Sequence, residues 1–429
     1  MERPAERALL VGVQLKNQRG GWDVEDSLLE LAQLARTAGL EVVGQTWQRL
    51  NRFHPATLVG SGKVEELVEL RHDLGYDLVI FDDELLPRHL RNLEESLGDG
   101  IKVLDRTGLI LDIFAQHART REGQLQVELA QYQYRLPRLT RAWTHLARQI
   151  GGGVARGGAG GVGLRGPGET QLEVDRREIT RRIAQVKGEL EQVRRHRALH
   201  RRQRKRTAIP VIAIVGYTNA GKSTLLNALS GADVLVGDKL FATLDPTMRR
   251  VTLPGGREAL FSDTVGFIQK LPTELVAAFR ATLEEISEAD LILHVVDITH
   301  PNACQQSEAV VGTLADLGVV NCPLIVALNK IDRLPDPMTV NDRLSEFPNS
   351  LAISAAQGIG LEAMLKRIEE VLTAGLAHVT IHLPYARGDL FALFHERGTV
   401  VRTSHNGQGV VLEGYLPGRW LEQFRAYLV

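Results

Sequence analysis

Eight consecutive residues have the types and spacing of a loop that binds phosphate groups. They are Gly216, Tyr217, Thr218, Asn219, Ala220, Gly221, Lys222 and Ser223, called the phosphate loop below. In such a loop backbone N–H groups surround a polyphosphate, the lysine reaches its outer phosphates and the serine hydroxyl is a ligand for Mg²⁺. The apolar run 211–215 predicts a buried strand before the loop, and residues 224–229 predict a helix after it. This setting favours nucleoside triphosphate binding over a chance match in a glycine-rich turn.

A second motif follows the apolar run 324–328 and consists of Asn329, Lys330, Ile331 and Asp332. The Asp332 carboxylate can accept hydrogen bonds from the ring N–H and the exocyclic amine of guanine, donors that adenine does not offer in this arrangement. Such a site rejects the wrong base because its buried polar groups would lose their partners. A third segment consists of Ser354, Ala355 and Ala356, whose backbone N–H groups we expect to cap the guanine carbonyl. The predicted base is therefore guanine.

Two segments between these motifs can sense the terminal phosphate and the metal. The first consists of Phe241, Ala242, Thr243, Leu244 and Asp245, and the second of Asp263, Thr264, Val265 and Gly266. Thr243 offers a second hydroxyl ligand for Mg²⁺, Asp263 can hold a metal-bound water, and the Gly266 N–H can contact the γ-phosphate. Four motifs in this order are the parts of a GTPase switch. We therefore predict GTP hydrolysis with Lys222, Thr243 and Gly266 as the catalytic groups.

Phe267 stands where many small GTPases have a glutamine that orients the attacking water. An aromatic side chain cannot hold water by hydrogen bonding, so we expect slow hydrolysis that depends on a group supplied from elsewhere. Asn219 is one candidate, because its side-chain carbonyl oxygen can ligate K⁺ where an arginine finger would otherwise place positive charge. The alternative is that Asn219 only caps the phosphate loop.

Length and composition indicate an ordinary globular protein of about three domains. The chain has 429 residues, of which 44% are hydrophobic and 24% charged, and its formal net charge is -1. Cys304 and Cys322 are too few for a disulfide framework or a cysteine metal site, which predicts reduced thiols in a cytoplasmic protein. The charged start does not resemble a secretory signal, and no apolar run reaches the roughly 18 residues of a membrane span. The net charge argues against a generally basic nucleic-acid binder. Whether part of the chain binds nucleic acid therefore depends on the local distribution of charge.

Two apolar stripes with heptad spacing predict an antiparallel helical hairpin over residues 120–206. The first stripe contains Leu125, Leu129, Tyr132, Leu136, Leu139, Trp143, Leu146 and Ile150, and the second contains Leu172, Ile179, Ile183, Val186, Leu190 and Val193. Pro137 interrupts the first stripe, so we expect a break near Arg135. Residues 151–168 form a glycine-rich tip between the arms that also carries Arg156 and Arg165.

The outer face of the second arm is basic. It contains Arg176, Arg177, Arg181, Arg182, Lys187, Arg194, Arg195, Arg197, Arg201, Arg202, Arg204, Lys205 and Arg206. A solvated helix face and a flexible linker are the plain alternatives for these two features. The density of charge, together with a tip whose backbone can lie close to phosphates, favours contact with RNA.

The residues at the end of the tip carry a more specific signal. The run Gly166, Pro167, Gly168, Glu169, Thr170, Gln171, Leu172, Glu173, Val174, Asp175, Arg176 and Arg177, together with the phosphate loop and segment 241–245, resembles the HflX family of translation GTPases. The similarity covers essentially the whole chain. It implies that the chain binds the large ribosomal subunit and its RNA through the hairpin and tip, and dissociates stalled or idle ribosomes. The positions of this family that bind Mg²⁺ and guanine correspond to Ser223, Thr243, Asp263, Asn329, Lys330 and Asp332.

An alternative function is an RNA-binding assembly or chaperone module that uses GTP only as a conformational switch. Fast turnover is expected only with the ribosome, and we expect the chain to act as a monomer. The domain prediction has four parts: an α/β domain over 1–119, the hairpin over 120–206, an α/β GTPase domain with a mixed, mostly parallel sheet over 207–375, and an α+β domain over 376–429. In the first domain, residues 60–63 read Gly-Ser-Gly-Lys, which predicts a tight turn into a helix rather than a second nucleotide site.

Overall fold

The structure is a computed structural model that describes most of the chain. The described ranges are 5–16, 22–98, 100–139, 171–206, 209–231, 240–241, 247–270, 286–287, 289–319, 322–334, 346–347, 349–374, 376–417 and 420–429. They form two compact units, one of residues up to Gln192 and one from Val193 onward. No helix within these ranges is both long enough and apolar enough to cross a membrane.

The first unit contains a four-stranded parallel sheet with helices between its strands. The strands are β1 (Arg7–Leu15), β2 (Glu41–Leu50), β3 (Leu78–Phe81) and β4 (Lys102–Asp105), in the spatial order β2-β1-β3-β4. The helices are α1 (Val24–Thr37), α2 (Ser61–Leu74), α3 (Pro87–Leu97) and α4 (Arg106–His117). Every residue of β3 is buried, as expected for an inner parallel strand with both faces covered. The predicted α/β fold is confirmed.

Residues 60–63 form the start of a helix. Helix α2 begins at Ser61, with Gly60 as its N-cap residue. The Lys63 amine donates hydrogen bonds to Thr46 Oγ1 at 2.9 Å and to Glu66 Oε1 at 2.8 Å. Because neighbouring side chains already engage this lysine, the structure supports the interpretation as a turn into a helix.

The helical hairpin is present where the structure describes it. Its arms are α5 (Arg121–Arg135) and α6 (Gln171–Arg206). Arg121 pairs with Glu189, and Arg182 with Glu128 at 3.0 Å, so the two helices run antiparallel. Helix α5 ends at Arg135 and a short 3-10 turn containing Pro137 follows, which confirms the predicted break. The stripe beyond 139 and the glycine-rich tip lie outside the described residues.

Buried polar contacts fasten the first arm of the hairpin to the four-stranded sheet. The Tyr134 hydroxyl donates to Asp105 Oδ1 at 2.7 Å, and the Arg138 guanidinium donates to Glu84 Oε1 at 2.9 Å. Burial, and next the nearby Asp105 charge, raise the pKa of Tyr134 well above its usual value. The phenol therefore stays protonated and remains a hydrogen-bond donor over the physiological pH range.

The second unit begins with a six-stranded sheet. Its strands are β5 (Val211–Gly216), β6 (Thr247–Thr252), β7 (Glu258–Asp263), β8 (Leu291–Asp297), β9 (Leu324–Asn329) and β10 (Ser350–Ala352), in the order β10-β9-β8-β5-β7-β6. Only β6 is antiparallel to its neighbour. Its described helices are α7 (Lys222–Ser230), α8 (Ala303–Asp316) and α9 (Leu361–Thr373). The mixed, mostly parallel sheet is as predicted, and its carboxyl edge is where such folds bind ligands.

The second unit ends in a smaller α+β arrangement. Its strands are β11 (Leu376–Leu383), β12 (Thr399–Asn406) and β13 (Gly409–Pro417), which form an antiparallel sheet in the order β11-β13-β12. Its helices are α10 (Gly388–Arg397) and α11 (Leu421–Phe424). The Asn406 side chain accepts hydrogen bonds from the N–H groups of Gln408 and Gly409, which closes the hairpin turn between β12 and β13. The predicted α+β fold of the last residues is therefore confirmed.

Candidate nucleotide site

The phosphate loop joins β5 to α7, as the sequence predicts. Two of its glycines have no room for a side chain. A Cβ at Gly216 would lie 2.2 Å from the Val295 carbonyl oxygen, and one at Gly221 would lie 2.3 Å from Asn329 Nδ2. Gly221 also has a positive φ of 93°, which glycine adopts without strain. The loop therefore depends on glycine for its close approach to β8 and β9.

Lys222 is buried within the loop that it serves. Its amine donates hydrogen bonds to the carbonyl oxygens of Gly216 at 3.1 Å and of Tyr217 at 2.7 Å. Burial lowers the pKa of Lys222 to about 8, although the Asp263 carboxylate opposes this shift. A polyphosphate at the loop would supply the negative charge that the ammonium form lacks in this site.

Two of the three residues predicted to hold Mg²⁺, Ser223 and Asp263, have suitable chemistry and lie together. Ser223 Oγ donates a hydrogen bond to Asp263 Oδ2 at 2.7 Å. A hydroxyl that donates a hydrogen bond to a carboxylate still has oxygen lone pairs that can bind a cation. Mg²⁺ prefers oxygen ligands. Ser223 therefore fits as a direct ligand, and Asp263 fits as the acceptor beside it. Thr243 lies outside the described residues and stays a prediction.

The segment after β7 lies along the phosphate loop. We call residues 263–269 the sensing segment. The Thr218 N–H donates to the Phe267 carbonyl at 2.7 Å, and the Phe267 N–H donates to the Gly216 carbonyl at 3.1 Å. A third bond runs from the Gln269 N–H to the Tyr217 hydroxyl at 2.7 Å. Sequence reasoning did not find this use of Tyr217, because nothing in the local pattern connects it to position 269.

Phe267 and Thr264 contribute to the site through packing and backbone contacts. The Phe267 side chain is buried, at 4% exposure. This side chain packs in the protein interior and offers no hydrogen-bonding group for a water molecule. The Thr264 hydroxyl donates to the Ile214 carbonyl at 2.7 Å, and this bond ties the start of the sensing segment to β5.

The base-recognition segments converge on Asn329 and Asp332. Asn329 Nδ2 donates to the Ala220 carbonyl at 2.9 Å, and Asn329 Oδ1 accepts the Ala355 N–H at 2.9 Å. The Ser354 hydroxyl donates to Asp332 Oδ1 at 2.6 Å, which orients that carboxylate. The N–H groups of Ser354 and Ala355 are engaged within the protein, whereas that of Ala356 bonds to no other described residue. Of the three N–H groups predicted to cap the guanine carbonyl, that of Ala356 therefore remains available.

Lys330 has a partner that the sequence did not indicate. Its amine donates to Asp297 Oδ2 at 2.7 Å, where Asp297 is the last residue of β8. Lys330 also has a positive φ of 69°, and the short 3-10 turn of Ile331–Arg333 follows it. The sequence signal that could have indicated this partner was the position of Asp297 directly after the apolar run of β8, at the carboxyl edge of the sheet.

His294 is a further polar residue near the phosphate loop that the sequence did not single out. It lies on β8 opposite Val215 and is 1% exposed. Burial, and next the Lys222 charge, lower the pKa of His294 to about 4, so the imidazole is neutral at physiological pH. Its Nδ1 has no hydrogen-bond partner among the residues that the structure describes. A lone histidine within an apolar strand gave too weak a signal to be noticed.

Most of the predicted site residues therefore come together at one edge of one sheet. The segments that hold them lie at or just after the carboxyl ends of its strands: 216–223, 263–266, 329–332 and 354–356. Phe241 is buried and has a positive φ of 55°. Ala242, Thr243, Leu244 and Asp245 lie outside the described residues, so their roles remain predictions.

Comparison with protein families finds three consecutive matches. Residues 25–115 match the GTP-binding GTPase N-terminal family, residues 117–204 the GTP-binding GTPase middle region, and residues 211–330 the 50S ribosome-binding GTPase family. The chain is 46% identical to the GTPase HflX of Caldanaerobacter subterraneus subsp. tengcongensis, covering 100% of this chain and 95% of the relative. It is 43% identical to the GTPase HflX of Escherichia coli K12, covering 91% and 88%.

A solved structure with similarity to this chain is that of a GTP-binding protein from the hyperthermophilic archaeon Sulfolobus solfataricus in complex with GDP. The identity is 25%, the match covers 86% of this chain and 99% of that chain, and the TM-score is 0.43.

The buried amine of Lys222 should make triphosphate binding depend on pH. At a pKa of about 8, part of the Lys222 amine is neutral near pH 8, and binding of a triphosphate should add a proton to that neutral fraction. We expect binding of magnesium GTP to take up about half a proton at pH 8 and about a tenth at pH 7. Calorimetry in buffers of different ionisation enthalpy measures this uptake. A value near zero at pH 8 would contradict the depressed pKa.

The carboxylate of Asp332 should determine which base is bound. In Asp332→Asn the amide oxygen can still accept the Ser354 hydroxyl, but the acceptor pair for guanine is replaced by one acceptor and one donor. We expect GTP affinity to fall by at least about a hundredfold and affinity for xanthosine triphosphate to rise. Competition binding with both nucleotides tests this, with the melting temperature as a control for folding. Unchanged GTP affinity would disprove the base assignment.

Proposed function

Because this chain belongs to the HflX family of GTPases, we propose that it binds the large ribosomal subunit and dissociates stalled or idle ribosomes. In this proposal the bound nucleotide controls its affinity for the ribosome, and it acts in the cytoplasm, where ribosomes are found. The observation that carries the proposal is the match of the nucleotide-binding residues to the 50S ribosome-binding GTPase family, within relatives similar over the full length.

The second arm of the hairpin supports contact with ribosomal RNA. Among its described side chains, Arg176, Arg177, Arg181, Lys187 and Arg195 are exposed. Phosphate groups of RNA attract such a row of cations, and the released counterions add to affinity. In this proposal the glycine-rich tip adds backbone contacts close to the RNA. The buried contacts of Tyr134 and Arg138 fix the base of the first arm, so that the hairpin leaves the sheet in a defined direction.

Hydrolysis in this proposal uses groups at the carboxyl edge of the six-stranded sheet. Asp332 holds the base, Lys222 and the phosphate-loop N–H groups hold the phosphates, and the Gly266 N–H contacts the γ-phosphate. Mg²⁺ held by Ser223 and Thr243 would neutralise charge that develops on the phosphate oxygens. Phe267 orients no water, so turnover by the protein alone is slow. The ribosome would provide what is missing.

Sedimentation with ribosomes tests partner, nucleotide dependence and splitting in one experiment. With GTP or a non-hydrolysable analogue we expect 70S particles to separate into subunits and the protein to sediment with the large subunit; with GDP we expect neither. Lys222→Ala, which loses the phosphate contact, is the control. Purified large subunits should accelerate GTP hydrolysis by about a hundredfold or more, the scale of a supplied catalytic group.

Two other results would change the assignment. Binding to large subunits without faster hydrolysis would favour the RNA-binding assembly or chaperone function in which GTP is only a switch. Shortening the tip between positions 152 and 163 should leave nucleotide binding intact and weaken splitting. Unchanged splitting by this variant would show that the tip is only a linker.

A monovalent cation at Asn219 is a second part of the proposal. Asn219 is exposed in the phosphate loop and has a positive φ of 61°. We expect GTP turnover at equal ionic strength to be at least about tenfold faster in KCl than in NaCl, because K⁺ would stabilise transition-state charge. Asn219→Gly tolerates this φ and removes the ligand, so it should lose the difference while still binding GDP. Equal rates of the unaltered chain in both salts would rule out the K⁺ site.

A further inference from the structure

Three hydrogen bonds join residues 267–269 of the sensing segment to the phosphate loop, in addition to the bond from Ser223 to Asp263 at the start of the segment, and the three differ in what the sequence must supply. The two bonds between Phe267 and the loop use only backbone groups, so most residue types could form them. The third, from the Gln269 N–H to the Tyr217 hydroxyl at 2.7 Å, needs a phenol at position 217. Unlike the two backbone bonds of Phe267, this bond therefore depends on one side chain.

The environment of this bond makes it hard to replace with water. Tyr217 is 3% exposed, and the carboxamide Oε1 of Gln269 is fully buried with no partner among the described residues. The bond itself is partly buried, and an N–H in such surroundings that loses its acceptor is costly to leave unpaired. The hydroxyl is therefore expected to hold position 269 next to the phosphate loop.

Gly266 lies in the same segment, three residues before Gln269. A Cβ built on Gly266 would lie 2.9 Å from Thr218 Cγ2 and 3.1 Å from the Lys222 amine nitrogen. The Gly266 backbone is thus packed directly against the loop and beside that amine. Its N–H donates to no other described residue. A γ-phosphate oxygen could accept hydrogen bonds from both the Gly266 N–H and the Lys222 amine.

We propose that Tyr217 is a positioning residue for the γ-phosphate: its hydroxyl holds the sensing segment against the phosphate loop, with the Gly266 N–H beside Lys222. The backbone of Tyr217 is expected to bind phosphate, and in this proposal its side chain also holds the sensing segment. The inference rests on the proposed GTPase switch, and it assigns a group that distinguishes GTP from GDP. Because GDP has no γ-phosphate, this role of Tyr217 applies only to the triphosphate.

The test is Tyr217→Phe, which removes the hydroxyl and keeps the ring. We measure the affinities of GDP and of a non-hydrolysable GTP analogue for the full chain with Mg²⁺. The dissociation constant of the analogue should rise by about three- to tenfold, the scale of one neutral hydrogen bond, and that of GDP should not change. Hydrogen exchange without nucleotide should become faster at the Gln269 amide.

Tyr76→Phe is the matched control. The Tyr76 hydroxyl is also buried and donates to the Leu67 carbonyl at 2.6 Å, within the first unit. Its loss should lower stability to a similar extent and leave both nucleotide affinities unchanged. Equal weakening of GDP and analogue by Tyr217→Phe, no weakening, or tighter binding of the analogue would overturn the proposal. So would unchanged exchange at Gln269. If the unaltered chain failed to bind the GTP analogue, the proposed function itself would fail, which is a separate result.

Discussion

The nucleotide site depends on the carboxamide of Asn329. This one side chain donates to the Ala220 carbonyl in the phosphate loop and accepts the Ala355 N–H from the segment after β10. It is 2% exposed, and Gly221 packs so closely against it that no Cβ would fit between them. Loss of either buried bond would cost about 1–3 kcal/mol. Asn329 therefore sets the spacing between the phosphate-binding and base-binding parts of the site, even with no nucleotide present.

Features that depend on neighbouring residues could be predicted from the sequence. The strand before the phosphate loop is an apolar run that ends in glycine, and Asp332 closes a motif that follows the apolar run 324–328, so both could be located by local pattern. Contacts between distant positions could not. Tyr217 and Gln269 are 52 positions apart, and Asp297 and Lys330 are 33 apart. Only the order of strands in the sheet brings these pairs together.

The first unit shows the same limit at the level of whole elements. Strand β4 ends at Asp105 and helix α4 begins at Arg106, with no loop between them. The Asp105 side chain caps the helix by accepting the Gly108 N–H at 2.8 Å. Because no turn residue separates β4 from α4, the sequence gives no local signal for the boundary between them. Arg106 is also 2% exposed and pairs with Asp82 at 2.7 Å, although a buried arginine is rare enough that sequence alone would place it at the surface.

Phe267 in the sensing segment affects how water can be oriented for hydrolysis. Both the N–H and the carbonyl of Phe267 bond to the phosphate loop, and its ring is buried, so this residue fastens the segment instead of handling water. The low pKa values of Lys222 and His294 have burial as their main cause, so both side chains lie in surroundings that disfavour charge. In a dry site a correctly placed charge or dipole acts far more strongly than it does in water. A phenylalanine at this position in such a site is consistent with the function proposed above, in which a partner completes hydrolysis.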